Sequence, residues 1–296
     1  LKDVSILITM RPMNNSKIII VGSDFKWEEK ALLSSHPSAE FLLLSDLEVQ
    51  IGEKTRFMKN GVDIFDGFSG DEKFIIRRSR GNFEKLVAFV EILKKRKFVF
   101  TDSFRSISTN LNKEIFLATI ESTIFPHPNG SFLAQKGDDV SGKKLNFPLI
   151  SKPVMGRHGE GIVIHEDFDS LQVEVKNIKE NLLIQECLDI DVEYRIFVVG
   201  NVALGAVEKK AAPGKKIANY AAGAKFTSAD LSKAFLDEAV RLCEVQGIDI
   251  GGVDVAKTTN GEHFILEINR CPEFKAFSSA TEIDVAEKII DFINQK

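Results

Sequence analysis

The 296-residue chain is long enough to bury more than one core, and two or three lobes are expected. Apolar residues make up 44% and charged residues 28%, the balance of a globular protein, and a formal net charge of -4 provides no bulk attraction for nucleic acid. No apolar run reaches membrane-spanning length and no basic-then-apolar leader is found, so neither nucleic acid nor a membrane is an expected partner. Cys187, Cys243 and Cys271 form no CxxC pair, which points to reduced thiols and a cytoplasmic setting, with core or incidental thiols favoured over a nucleophile.

Lys17 to Gly22 (KIIIVG) reads as a buried strand, followed by a helical segment containing Trp27 and Leu32 and a second strand from Ala39 to Leu44. Together they predict a small α/β unit with a parallel sheet. No GxGxxG follows the first strand, so a dinucleotide site of that kind is unsupported. Arg56 to Ile64 is a hairpin with Asn60-Gly61 at its tip. Phe74 to Arg80 is a strand ending in Arg77, Arg78 and Arg80; such a cluster can grip a carboxylate or phosphate, but a solvated edge is its commoner meaning. Leu86, Phe89, Val90 and Leu93 have helical spacing over Glu84 to Lys95, and the basic run that follows suits a helix C-terminus.

Beyond a strand at Val99-Phe100, a helix capped by Thr109 or Asn110 should carry Lys113, Phe116 and Leu117 until Phe125-Pro-His-Pro128 breaks the pattern. Phe147 to Lys152 is a strand, and Ile162 to His165 another. Between them, Gly156, Gly159 and Gly161 make a flap whose backbone N–H groups can close over phosphates, with Lys152 placed to reach a phosphate oxygen. Many glycine-rich hairpins bind nothing, so the flap alone is a weak sign. Leu182 to Leu188 is a strand, and Glu193 to Val199 pairs with Val202 to Lys209 around Gly200-Asn201. Ala211 to Lys225 reads as loop. Thr227 or Ser228 is expected to cap a helix that buries Leu231, Phe235, Ala239 and Leu242 and stops at Gly247. A last helix is expected over Thr281 to Asn294.

Gly251 to Asn269 reads as two strands joined at Asn260-Gly261. With those two residues as the whole loop, Asp254 lies opposite Glu267, and Glu267 shares a face with Asn269. The other face would carry Val253, Val255, Phe264, Leu266 and Ile268. Two opposed carboxylates repel. A hard divalent cation would turn that cost into a site, since magnesium takes oxygen ligands and keeps substrate phosphates in its shell. A solvated polar face with one tolerated clash accounts for these residues equally well.

Taken together, Lys113, Lys152 with its glycine flap, Gln185-Glu186, Glu193-x-Arg195, Asp254 and Glu267-x-Asn269 resemble the ATP-grasp superfamily, and within it the RimK-type ligases that add amino acids to protein or peptide carboxylates. The resemblance covers about residues 99 to 296. It implies an α/β (α+β) fold of three lobes: a small parallel α/β domain over 1–100, a central lobe with the flap over 101–183, and a C-terminal lobe with the metal site over 184–296. ATP would sit between the antiparallel sheets of the last two. Lys113 and Lys152 would contact phosphates, Glu186, Cys187 and Leu188 would border adenine, and Glu193 would accept ribose hydroxyls. Gln185 and Asn219 complete the nucleotide set. Asp254, Glu267 and Asn269 would hold magnesium, with manganese as a substitute, and Arg195 would steady an acylphosphate.

The implied activity joins an amino-acid, peptide or protein carboxylate to an amine at the expense of ATP, in a chain that forms homo-oligomers. Two loops depart from the RimK pattern: Asn219-Tyr-Ala-Ala-Gly-Ala224 lacks the usual arginine, and Arg270-Cys-Pro-Glu-Phe274 replaces a small-residue turn. Both should face the acceptor, so its identity stays open. A peptide macrocyclase, a nucleotide-binding protein without turnover and a phosphotransferase remain the competing readings.

Overall fold

The computed structural model describes residues 18–79, 81–109, 120–122, 124–154, 161–210 and 225–296. Contacts divide the chain into two units: one runs to Phe104 and takes in Ala286–Lys296, and the other is Arg105–Val285.

In the first unit, β1 (Ile18–Gly22) is buried along its whole length, as a β-branched run in the middle of a parallel sheet should be. Helix α1 (Trp27–Ser34) leads to β2 (Ala39–Leu43), and β3 (Glu48–Gln50), β4 (Arg56–Lys59) and β5 (Val62–Asp63) form a separate antiparallel sheet. Strand β6 (Lys73–Ile76), helix α2 (Phe83–Lys95) and β7 (Val99–Phe100) complete a parallel sheet in the order β2-β1-β6-β7. The predicted face of α2 is buried, and Phe89 packs against Phe57 with ring centroids 5.2 Å apart. At the β4–β5 turn both Asn60 (φ 51) and Gly61 (φ 80) are left-handed, as a two-residue hairpin loop requires. Arg77 is no solvated edge. It is 2% exposed, and its Nε donates to Glu29 Oε1 at 3.1 Å, while Arg80 lies outside the described residues.

The second unit opens with α3 (Phe104–Thr109). Strands β8 (Phe132–Ala134), β9 (Leu149–Pro153), β10 (Val163–His165) and β11 (Leu182–Glu186) pair antiparallel in the order β10-β9-β11-β8. Helix α4 (Phe168–Asn177) covers this sheet with Leu171 and Val175. Its alternating Leu-Gln-Val-Glu-Val resembles a strand in isolation. Asp167 decides otherwise, its side chain accepting from the Ser170 N–H at 2.9 Å as an N-cap.

Strands β12 (Ile190–Val199), β13 (Val202–Lys210), β14 (Lys225–Ala229), β15 (Ile250–Thr258) and β16 (His263–Asn269) form a five-stranded antiparallel sheet in the order β14-β13-β12-β15-β16. Thr227 and Ser228 lie in β14 and cap nothing: helix α5 (Lys233–Gln246) begins after Ser232, whose hydroxyl accepts from the Phe235 N–H, and ends at Gly247 (φ 67). The last predicted helix is two. Helix α6 (Lys275–Thr281) ends where Glu282 turns left-handed at φ 60, and α7 (Val285–Gln295) follows. The architecture is mixed α/β, with one parallel sheet and three antiparallel ones among the described residues. None of the described helices is long and apolar enough to cross a membrane, and none of the three cysteines is in a disulfide.

Candidate active site

Strands β15 and β16 place Asp254 opposite Glu267, as expected, but by a different route, and they pair Gly252 with Asn269. The loop has three residues. The Gly261 N–H donates to Thr258 O at 2.9 Å, the Thr258 N–H donates to Glu262 O at 2.9 Å, and only Gly261 (φ 89) is left-handed, the geometry of a type I turn with a glycine bulge. That extra residue would slip every pair, and a second bulge at Leu266 restores the register. Ile265, not Leu266, therefore joins Val253, Val255 and Ile268 in the core, and Glu267 emerges on the opposite face. Phe264 is buried but lies outside that cluster.

A further bulge acts on the neighbouring hairpin. Counted straight from the turn at Gly200-Asn201, Glu193 would meet Glu208. The register shifts beyond Phe197, where Gly205 adopts φ 145, and Glu193 meets Lys209 instead. Lys209 is a member of this charged cluster that the sequence does not announce, because its partner depends on a bulge whose only sign is a glycine inside a strand.

The outcome is a row of charges across three strands. Arg195 grips Asp254 with both arms of its guanidinium, Nε to Oδ1 and Nη2 to Oδ2, each at 2.7 Å. The Lys209 ammonium lies 3.0 Å from Glu193 Oε2 and 3.1 Å from Asp254 Oδ2. Asp254 and Lys209 are buried, and Glu193 and Arg195 are half-buried. Burial alone would raise the Asp254 pKa, but Arg195 and Lys209 outweigh it and hold the carboxyl below the usual range. Burial likewise opposes the Arg195 charge, yet Asp254, Glu267 and Glu193 keep its pKa above the ordinary value. The repulsion between Asp254 and Glu267 is thus answered inside the protein by two cations.

The residues expected to hold a metal are partly committed. Asp254 accepts three hydrogen bonds from Arg195 and Lys209, which leaves its carboxylate about one further acceptor direction. Glu267 is exposed and accepts from Asn269 Nδ2 at 2.9 Å. The three present oxygen donors only, on adjacent strands, which fits a hard cation with waters and phosphate oxygens in the remaining positions. Among the described residues no group of three or more His, Cys, Asp or Glu could hold a metal ion.

On the four-stranded antiparallel sheet, Lys152 Nζ donates to Gln185 Oε1 at 3.2 Å, and the buried Gln185 donates from Nε2 to Ser131 Oγ at 3.0 Å. Glu186 ends β11, with Cys187 and Leu188 half-buried beyond it. The Glu186 N–H donates to Asn129 O at 3.3 Å and the Cys187 N–H to Pro148 O at 3.0 Å. Gly161 is required where the flap returns: φ is 71, and a Cβ there would stand 2.7 Å from Pro153 Cγ. Lys113, Gly156, Gly159 and Asn219 lie outside the described residues. Beyond Asn269 the divergent loop packs down, with Arg270, Pro272 and Phe274 buried and Phe274 edge-on to Phe197 at 6.2 Å.

The model of the RimK-like ATP-grasp domain matches residues 128–293, more than half of the chain. The chain belongs to the RimK-like ATP-grasp family. It is 31% identical over 203 residues to a probable alpha-L-glutamate ligase of Legionella pneumophila (strain Corby), a match covering 66% of this chain and 63% of that protein. The chain thus spans about 63% of the length of the curated relative. Among solved structures it resembles the ATP-grasp ligase PsnB complexed with minimal precursor, with TM-score 0.69, 16% identity, and 95% and 99% of the two chains covered. It also resembles the macrocyclase MdnC bound with precursor peptide MdnA, from Microcystis aeruginosa MRC, with TM-score 0.69, 12% identity, and 94% and 99% covered. The ATP-grasp fold expected from the motifs is therefore the fold of this chain.

Proposed function

We propose that this chain is an ATP-dependent carboxylate–amine ligase that forms an amide bond through an acylphosphate. The observation that carries the reading is the array of Glu193, Arg195, Lys209 and Asp254 beside Glu267 and Asn269, oriented by strand pairing rather than by loops. Membership of the RimK-like family and the ligase names of its relatives support it.

In this reading Lys152 and the flap around Gly161 bind the ATP phosphates, and Glu186 to Leu188 and Glu193 bind the adenine and ribose. Asp254, Glu267 and Asn269 would hold magnesium, which supplies charge neutralisation between the phosphates when bound. The substrate carboxylate attacks the γ-phosphorus, the bond to the β-phosphate oxygen breaks and ADP leaves. An amine then attacks the acyl carbon, gives up a proton, and inorganic phosphate departs. Arg195, already pointed along the sheet by Asp254, steadies the anionic acylphosphate. The substrates are an amino-acid, peptide or protein carboxylate and an amine, and glutamate heads the candidates because the relatives are glutamate ligases by name.

The test is phosphate release from ATP and magnesium across a panel of amino acids and short acidic peptides, with mass spectrometry of the products. Release that depends on one carboxylate–amine pair, with a product lighter than its substrates by one water, establishes the ligase. Loss of one water within a single peptide identifies a macrocyclase instead. ATP binding without turnover on any pair, including protein substrates, would sink the ligase reading.

A further inference from the structure

Lys209 is 5% exposed and sits on β13, yet its ammonium reaches past Glu193 on β12 to Asp254 on β15. Arg195 already binds both oxygens of Asp254, so Lys209 is not needed to supply that carboxylate with its first cation. What Lys209 adds is a connection. It is the common partner of two carboxylates to which the ligase reading gives different ligands, the ribose for Glu193 and the metal for Asp254.

We propose that Lys209 is a positioning residue that couples nucleotide binding at Glu193 to metal binding at Asp254. The inference rests on the ligase reading for the roles of those two carboxylates. A lysine suits the task because a compact ammonium with several donors can satisfy two acceptors at once. The site is withdrawn from water, so each charged hydrogen bond is stronger than at the surface, and a carboxylate left without its partner is costly. A cation drawing on Asp254 changes what Lys209 offers to Glu193. By linkage a ribose engaging Glu193 must change metal affinity by the same factor.

Calorimetry of ADP and 2′-deoxyADP over a range of magnesium concentrations tests this without turnover. In Lys209→Met the ammonium that competes for Asp254 is gone, so the magnesium concentration for half-maximal ADP binding should fall about tenfold, the scale of one charged hydrogen bond. The preference for ADP over 2′-deoxyADP should shrink in the same variant. Lys209→Arg, which can still bridge two carboxylates, should recover part of both effects. Glu193→Gln cuts the bridge from its other end, leaves Lys209 to Asp254 alone and should instead raise the magnesium requirement, although Glu193 is no metal ligand. Should Lys209→Met not fold, as judged by circular dichroism and melting, Lys209→Arg and Glu193→Gln decide the matter. A folded Lys209→Met in which only one of the two quantities moves, or neither, overturns the coupling, as does an unchanged magnesium requirement in Glu193→Gln. A wild-type chain that binds no ADP with magnesium would instead overturn the ligase reading, and the coupling with it.

Discussion

The two faces of the five-stranded sheet are built from the same strands and obey different rules. One face, with Ile196, Val198, Val253, Val255, Ile265 and Ile268, packs on Ala239, Leu242 and Cys243 of α5. The other carries Glu193, Arg195, Lys209, Asp254 and Glu267, joined by ion pairs and opposed carboxylates. The adjacent glycines Gly251 and Gly252 show the divide at one step of chain: a Cβ on the first would meet Cys243 Sγ, and a Cβ on the second would meet Pro272 and Arg195. The apolar face is held by non-directional burial and judges a substitution by its volume. The charged face judges it by whether each polar atom keeps its partner.

The sharpest separation should come from Glu267→Gln. Glu267 is exposed, and glutamine keeps its length, so the fold should lose nothing and gain slightly from weaker repulsion with Asp254. If Glu267 holds magnesium, turnover should fall on the order of 100-fold or more, since even indirect supports of a metal cost 10- to 100-fold. Steady-state kinetics against magnesium, set beside a melting curve, reads both. Full activity with an unchanged magnesium dependence would end the metal assignment.

Asp254→Asn should disturb the charged face through stability as well. It leaves Arg195 and Lys209 short of a buried carboxylate, a change that costs about 3–5 kcal/mol in comparable pairs. The cost should depend on pH in one direction. The folded pKa of Asp254 lies below the unfolded value, so its contribution is complete above about pH 5 and fades as the solution is acidified through and below about 3.9. The gap between wild type and Asp254→Asn, measured by denaturant unfolding, should therefore narrow on acidification. A gap that stays constant from neutral pH to pH 3 would mean that the Asp254 charge is not what stabilises this face.

Much of the fold, and one pair of the charged face, can be read from local pattern. The parallel β1-β2 unit, the α2 stripe and the pairing of Asp254 with Glu267 all follow from periodicity and turn residues. The failures share a cause, which is that tertiary context decides between local options. Asn60-Gly61 and Asn260-Gly261 are the same dipeptide, yet one is a two-residue loop with both residues left-handed and the other ends a three-residue loop with only its glycine so. The bulge at Leu266 cancels the third loop residue before Gly261, while the bulge beyond Phe197 hides the pairing of Lys209 with Glu193. Bulges displace whole faces and leave little trace in sequence.

The smallest expected effect isolates the apolar face. In Gly251→Ala the new methyl would lie 2.5 Å from Cys243 Sγ and 3.3 Å from Ile248 Cγ2, both in a packed interior. Overpacking of this kind costs about 1–3 kcal/mol. Replacing the sulfur as well, in Gly251→Ala with Cys243→Ala, removes the obstacle, so the double variant should be more stable than the sum of the single costs predicts. Nucleotide binding should stay unchanged in both, because neither side chain faces the charges. Gly252→Ala is the counterpart on the other face, with its methyl 3.0 Å from Pro272 Cβ and 3.5 Å from Arg195 Cδ. It should impair turnover more than stability, since a small shift of Arg195 loosens its fork on Asp254. Additive costs for Gly251 and Cys243 would show that the sulfur is not the obstacle, and lost nucleotide affinity in Gly251→Ala would show that the two faces do not act independently.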